Sequence, residues 1–431
     1  MSLFIRNARV LDPASRTDAV MDVNVENGEI HSLGKNLTHC PDAEIIDASG
    51  QWLIPGAVDL GSWLREPGLD YKATLATETT AAAASGVTTL CYQPEPGASV
   101  DNSAQVNLIQ DLADAQGRAN VQVIGNITRQ LEGDTLSNMG GLKRSGCIAV
   151  TNGWQPYADL NIMQSAMKYA TTHNLTVFVY PVEHALANNG FMHEGAVSTR
   201  LGLPGIPSAA ETVAVAQTLS LMELTGTRVH FCRLSAAGSV RLLRQARQSG
   251  LEVSADVAAH QLFLTEADLM DYNPLCHVWP PLRAEADRVA LLEGLADNTI
   301  DAICSDHQPH DTDAKLAPFQ QTEPGIAGLE TLLPLTLRLV EDGTLSELDA
   351  LNKITFQPAQ IIGSEAGQIT QNAPADLVLF DPDDLWTFTL ENMRSKGKNS
   401  PFANWAFQGR VSRTFLAGQP VYALSGSDTC P

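Results

Sequence analysis

The sequence predicts an α/β protein: a (β/α)8 barrel over residues 56–364, with a small β-sandwich domain built from both chain ends, residues 1–55 and 365–431. Two observations predict it. Short β-rich runs alternate with helical stretches through the middle of the chain, as a parallel barrel requires. Strand-like alternation with a period of two opens the chain and returns after about residue 365, so the two ends are expected to share one composite domain. With 431 residues and 44% hydrophobic content the chain is long enough for more than one domain.

The elements follow in order. Leu3 and Ile5, then Val23, Val25 and Ile30, alternate around the turn residues Glu26-Asn27-Gly28 and read as a β-meander. The first barrel strand is expected at Val58. Further strands are predicted from Gly86 to Cys91, Val121 to Ile124, Cys147 to Val150, Thr176 to Tyr180, Val229 to Leu234, Val253 to Val257 and Ile300 to Cys304. The helices between them include Asn161 to Thr171, Ala209 to Leu224 and Val240 to Gln248. Sheet resumes at Ala375 to Phe380 and from Arg413 to Tyr422. The glycine-rich stretch Gly140-Gly141-Leu142-Lys143-Arg144-Ser145-Gly146 lacks phosphate-loop spacing and is expected to be an ordinary loop.

Composition excludes several classes. A formal charge of −22 without a local Lys/Arg cluster argues against nucleic acid and anionic lipid as partners. No apolar run reaches membrane-spanning length and no signal-peptide pattern opens the chain, so a cytoplasmic location is expected. Seven scattered cysteines (Cys40, Cys91, Cys147, Cys232, Cys276, Cys304 and Cys430) lack a Cys-x-x-Cys pair and are expected to be reduced.

The most informative segment is Val58-Asp59-Leu60-Gly61-Ser62-Trp63-Leu64-Arg65-Glu66-Pro67-Gly68. It is followed, in order, by Gly86-Val87-Thr88-Thr89, Met192-His193-Glu194-Gly195, Leu201-Gly202-Leu203-Pro204-Gly205, Pro280-Pro281-Leu282-Arg283, Ser305-Asp306-His307-Gln308-Pro309-His310, Pro324-Gly325-Ile326-Ala327-Gly328-Leu329-Glu330 and Ala375-Asp376-Leu377-Val378. Together these resemble the dihydroorotase family of cyclic amidohydrolases across nearly the whole chain.

In that family the first segment reads Val-Asp-x-His-x-His-x-Arg-Glu-Pro-Gly, and its two histidines bind zinc from one face of a strand. Here those positions are Gly61 and Trp63, neither of which can coordinate a metal. The resemblance places the remaining ligand positions at Asn152, Tyr180, Arg233 and Asp306, and only Asp306 is a ligand type. It implies a degenerate site: no catalytic residue, no bound metal and no cofactor, the family's zinc being expected to be absent. Without a metal to lower the pKa of water toward about 7, Asp306 has little hydroxide to deliver.

At the substrate positions Arg65 remains, but its companions have become Glu95 and Trp279. A structural ion pair of Arg65 with Glu95 or Glu66 is the simpler expectation. His193, His230 and the hydroxyl of Ser62 are expected to be structural, while Arg233 is expected beside Asp306 with Trp63 filling vacated space.

Within that family the sequence, with its missing ligands, resembles inactive dihydroorotase homologues that assemble with bacterial aspartate transcarbamoylase. The resemblance therefore implies a structural subunit of pyrimidine biosynthesis, with the transcarbamoylase catalytic subunit as partner and homo-oligomer contacts. Two rivals stand beside it: a divergent amidohydrolase using Asp306, His307 and His310, with His260 in reach, or a sensor holding a pyrimidine acid on Arg65.

Overall fold

The computed structural model describes residues 2–424; Cys430 and the last residues of the expected C-terminal domain lie outside the described residues. Five strands come from the N-terminal region: β1 (Ser2–Asp12), β2 (Thr17–Glu26), β3 (Glu29–Gly34), β4 (Glu44–Asp47) and β5 (Trp52–Pro55). Asn27 and Gly28 join β2 to β3 with φ of 53° and 86°, the left-handed pair that a two-residue hairpin turn demands.

The barrel then begins. Its strands are β6 (Ala57–Ser62), β7 (Val87–Tyr92), β8 (Asn120–Asn126), β9 (Ala149–Thr151) and β10 (Thr176–Val179). After a small parallel pair, β11 (Met192–His193) with β12 (Gly205–Ile206), it continues through β13 (Val229–Phe231), β14 (Val253–Ala258) and β15 (Ala302–Cys304). Neighbours pair in parallel in the order β15-β14-β13-β10-β9-β8-β7-β6. The seam between β15 and β6 is joined just beyond the strand ends, where Trp63 N donates to His307 O at 2.9 Å and His307 N to Gly61 O at 2.9 Å. Asp59 reinforces it by accepting from Ser305 N at 2.7 Å and from the Ser305 hydroxyl at 2.6 Å. The result is a nearly closed eight-stranded parallel barrel wrapped by helices.

Those helices include Leu160–Thr172, Ala209–Thr225 and Ala237–Gln248. Asp159 starts the first by accepting from Asn161 N and Ile162 N at 2.8 and 3.0 Å, and Gly226 ends the second at φ 66°. Gly140 and Gly141 depart from the loop expectation. They lie in the helix Met139–Arg144, where the Asn138 side chain accepts from Gly141 N at 3.0 Å and supplies the start signal that a glycine count alone conceals.

The last strands, β16 (Leu377–Thr387), β17 (Ala406–Leu416) and β18 (Gln419–Ala423), return to the N-terminal region. One hydrogen-bonded sheet, β18-β17-β16-β5-β1-β2-β3 with β4 beside β1, contains all of them. In β16, Leu377 and Leu379 join a core with Leu3, Val10, Val25 and Phe415, whereas Val378 and Phe380 join the barrel's outer core. A period of two thus gives one strand two apolar duties.

Candidate functional site

The carboxyl ends of the barrel strands converge on Arg233, which follows β13 and is completely buried. Its Nε donates to Asp306 Oδ1 at 3.2 Å, and its Nη1 lies 3.4 Å from Asp256 Oδ2. Its backbone N–H donates to Asp256 Oδ1 at 2.6 Å, and Nη2 reaches the carbonyl of Leu60 at 3.4 Å. The rings of Trp63 and Tyr180 flank the guanidinium, with centroids 5.3 and 5.1 Å from its central carbon.

Gly61 makes this arrangement possible. A Cβ at that position would stand 1.7 Å from Arg233 Nη2. Tyr180 is fixed in turn, since its hydroxyl donates to Gln93 Oε1 at 2.8 Å while Gln93 Nε2 donates to Leu60 O at 2.7 Å. Trp154 packs edge-on against Tyr180 at 4.4 Å and against Trp279 at 6.1 Å, so the aromatic group extends outward from the centre.

Of the residues singled out from sequence, Gly61, Trp63, Tyr180, Arg233 and Asp306 therefore meet at one place. Asn152 does not join them. Its amide accepts from Thr128 at 2.6 Å and donates to Gln155 O at 3.0 Å, holding its own loop. Arg65 is buried in an ion pair with Glu95, donates to Pro309 O at 3.1 Å and lies 3.4 Å from His310 Nε2. Glu66 instead accepts from Leu75 N at 2.7 Å. Ser62 is a buried hydroxyl bonded to Asp59.

The three groups of the residual-site alternative go to separate partners. Asp306 holds Arg233 and accepts from Gln308 Nε2 at 3.2 Å. His307 Nε2 meets Glu78 at 2.7 Å, and His310 Nε2 meets the carbonyl of Pro324 at 3.0 Å. His260 is buried with neither ring nitrogen hydrogen-bonded.

Sequence reasoning missed Asp256, whose only signal is a lone carboxylate inside the strand run Val253–Ala258. It also missed Glu78, on the helix Leu75–Ala84.

Charge follows these contacts. Burial pushes Asp306 up to about 6, with Arg233 opposing. Burial also pushes Asp256 upward, but Arg233 and His230 reverse the sign and hold it below the ordinary range. The difference is physical: Asp256 takes Arg233's backbone and side chain together with His230 Nε2 at 2.9 Å, whereas Asp306 has one guanidinium nitrogen and an amide. His260 is driven down to about 3 by burial and by Arg233.

A family model described as Dihydro-orotase-like matches residues 50–239. The chain is 44% identical over 418 residues to a dihydroorotase-like protein of Pseudomonas aeruginosa, an alignment covering 97% of this chain and 99% of that one. The chain belongs to the dihydroorotase-like family of the amidohydrolase superfamily. A dihydroorotase of Trichlorobacter lovleyi is 38% identical over 423 residues, covering 98% of this chain and all of its own. Among solved structures, dihydropyrimidinase from Brevibacillus agri NCHU1002 superimposes with a TM-score of 0.85 at 21% identity, covering 98% of this chain and 95% of its own. L-hydantoinase from Arthrobacter aurescens does so with 0.86 at 20% identity over 98% and 96%. At that identity the likeness concerns the fold.

The zinc centre of the dihydroorotase family does not fit these residues. Gly61 and Trp63 offer no donor, Arg233 places a fixed cation against the Asp306 carboxylate, and its guanidinium touches the space a side chain at Gly61 would need. Among the described residues, His230, Cys232 and Asp256 are the set whose ligand atoms lie close together. That set is already engaged: His230 bonds Ser254 and Asp256, both at 2.9 Å, and Asp256 bonds Arg233. Burial pushes the Cys232 thiol well above its ordinary range, so the thiolate a metal needs is disfavoured.

Proposed function

We propose that this dihydroorotase-like chain is a non-hydrolytic member of its family, serving as a cytoplasmic structural subunit that assembles aspartate transcarbamoylase, with homo-oligomer contacts of its own. The observation that carries the first half is the Arg233 guanidinium, held between Asp306 and Asp256 and roofed by Trp63 and Tyr180. A covalently attached cation neutralises the carboxylates there, but unlike a zinc ion it activates no water. The partner rests on the resemblance to non-catalytic homologues, and a barrel that retains its fold without its chemistry still offers a large rigid surface.

The experiment is co-expression with the transcarbamoylase of the same organism, followed by sizing and assay of both activities with and without added zinc. The expected outcome is a joint complex, transcarbamoylase activity that falls when this chain is left out, and no dihydroorotate hydrolysis. Zinc-stimulated turnover would restore the amidohydrolase reading, which the full-length relative named dihydroorotase makes the natural rival. Separate elution with fully active transcarbamoylase would remove the scaffold role.

A further inference from the structure

A cleft of about 520 Å³ opens on the barrel mouth, away from the Arg233 centre, between the loops after β6 and β15 and the segment near residue 396. Its wall carries Lys72, Lys315, Lys396 and Lys398, an unusual concentration on a chain of formal charge −22. Lys72 pairs with the carboxylate of Glu323. The other three meet neutral oxygens instead. Lys315 Nζ donates to Glu323 O at 2.6 Å and His277 O at 3.3 Å, Lys396 Nζ to Asp70 O at 2.7 Å, and Lys398 Nζ to Met393 O. Each ammonium has three donors, so these bonds leave capacity for an anion. Lys315 is itself mostly buried, and burial draws it down to about 7, a cost that a bound negative charge would relieve. Asp311 is the single carboxylate on the wall.

The other half of the cleft is apolar. Leu275 and Leu390 line it, and Leu316 and Tyr71 stand at its rim 74% and 60% exposed, among the most exposed large apolar side chains of the described residues. A volume in the usual range for small-molecule sites, about 300–1,000 Å³, favours a compact ligand over a protein surface.

We infer that this cleft binds a small organic anion with an apolar body, its negative group on Lys315, Lys396 and Lys398 and its body against Leu316 and Tyr71. The lysines and apolar side chains that would hold the ligand belong neither to the Arg233 centre nor to the Asp306, His307 and His310 set; of that set His310 alone borders the cleft, with its Nε2 engaged by Pro324 O at 3.0 Å.

The test is calorimetric titration of the full chain with anilinonaphthalene sulfonate, an anion on an apolar body, and with inorganic phosphate as the charge-only probe. The sulfonate is expected to bind at one site and phosphate to compete with it. Lys396→Gln with Lys398→Gln, both at exposed side chains, should weaken sulfonate and phosphate alike, by about tenfold. Leu316→Asn should weaken the sulfonate while leaving phosphate unchanged. Sulfonate affinity unchanged in either variant, or phosphate that fails to compete, would overturn the assignment.

Discussion

At the scale of single residues, Arg233 decides the character of the barrel centre. A fully buried guanidinium costs several kcal/mol of desolvation, which its contacts with Asp306, Asp256, Leu60 and two aromatic faces offset. Arg233→Ala should therefore cost about 3–5 kcal/mol in urea unfolding, because it strands buried carboxylates. Adding Asp306→Ala should recover only part of this, since Asp256 still loses the guanidinium and keeps only His230, the backbone N–H of residue 233 and the Cys304 thiol. Gly61 is coupled to the same side chain. Gly61→Ala alone should cost about 1–3 kcal/mol through overpacking, and much less in the Arg233→Ala background, where the clashing guanidinium is gone. Equal costs in the two backgrounds would refute the coupling.

His260 gives a pH signature. Its folded pKa is lowered to about 3 from an ordinary 6.5, so the native state excludes a proton that the unfolded chain accepts. Stability from this group is intact above pH 6.5 and is lost as pH falls from there toward 3. The slope is about 1.4 kcal/mol per pH unit for one proton. His277, lowered to about 4 by burial and Lys315, acts in the same direction, whereas Asp306, raised to about 6, opposes it over part of the range. His260→Gln should flatten the acid limb by close to one proton. An unchanged slope of stability against pH between 6 and 5 would show that His260 is not the group responsible.

At the scale of elements, the seam between β6 and β15 depends on Asp59, buried on β6. Its carboxylate takes two donors from Ser305 and one from Ser62. Asp59→Ala should cost about 1–3 kcal/mol for each buried donor left unpaired, and should speed hydrogen exchange of the Trp63 and His307 amides, which bridge the seam. Slow exchange at both amides in the variant would show that the seam holds without Asp59. The same scale explains the helix over Gly140 and Gly141. Glycine lowers intrinsic helix preference, yet the Asn138 cap and the burial of Met139 and Leu142 outweigh it in place.

At the scale of the whole molecule, the terminal sheet and the barrel are energetically joined. Val378, Phe380 and Val411 bury against the barrel's outer core, and Gly409, at φ 80°, admits the Phe380 ring where a Cβ would stand 2.1 Å from it. A chain lacking residues 2–55 would leave β16 without β5, one of its two neighbouring strands, and expose the opposite apolar face, formed by Leu377, Leu379 and Phe415. It is expected to aggregate or bind apolar dyes, and a monomeric, fully folded truncation would show that the barrel stands alone.

Much of this was legible in the sequence. Alternating β and helical runs gave the barrel, and matching strand patterns at the two ends gave their shared sheet, because periodicity is a local property of the chain. That Gly61 and Trp63 offer no donor to a metal could be read directly from the chemistry of their side chains. What lay beyond reach required distance in three dimensions. Asn152 and Tyr180 occupy comparable positions in the aligned segments, but only Tyr180 turns toward Arg233, because Asn152 is captured by Thr128 and its own loop. Asp256 and Glu78 carry no recognisable motif, and their roles arise only when β14 meets β13 and the helix Leu75–Ala84 meets His307. The sequence by itself determined the alternation of elements and the residue types available for chemistry. The tertiary structure alone decided which buried charges face one another, since ion pairing depends on separations of a few ångströms between side chains far apart along the chain.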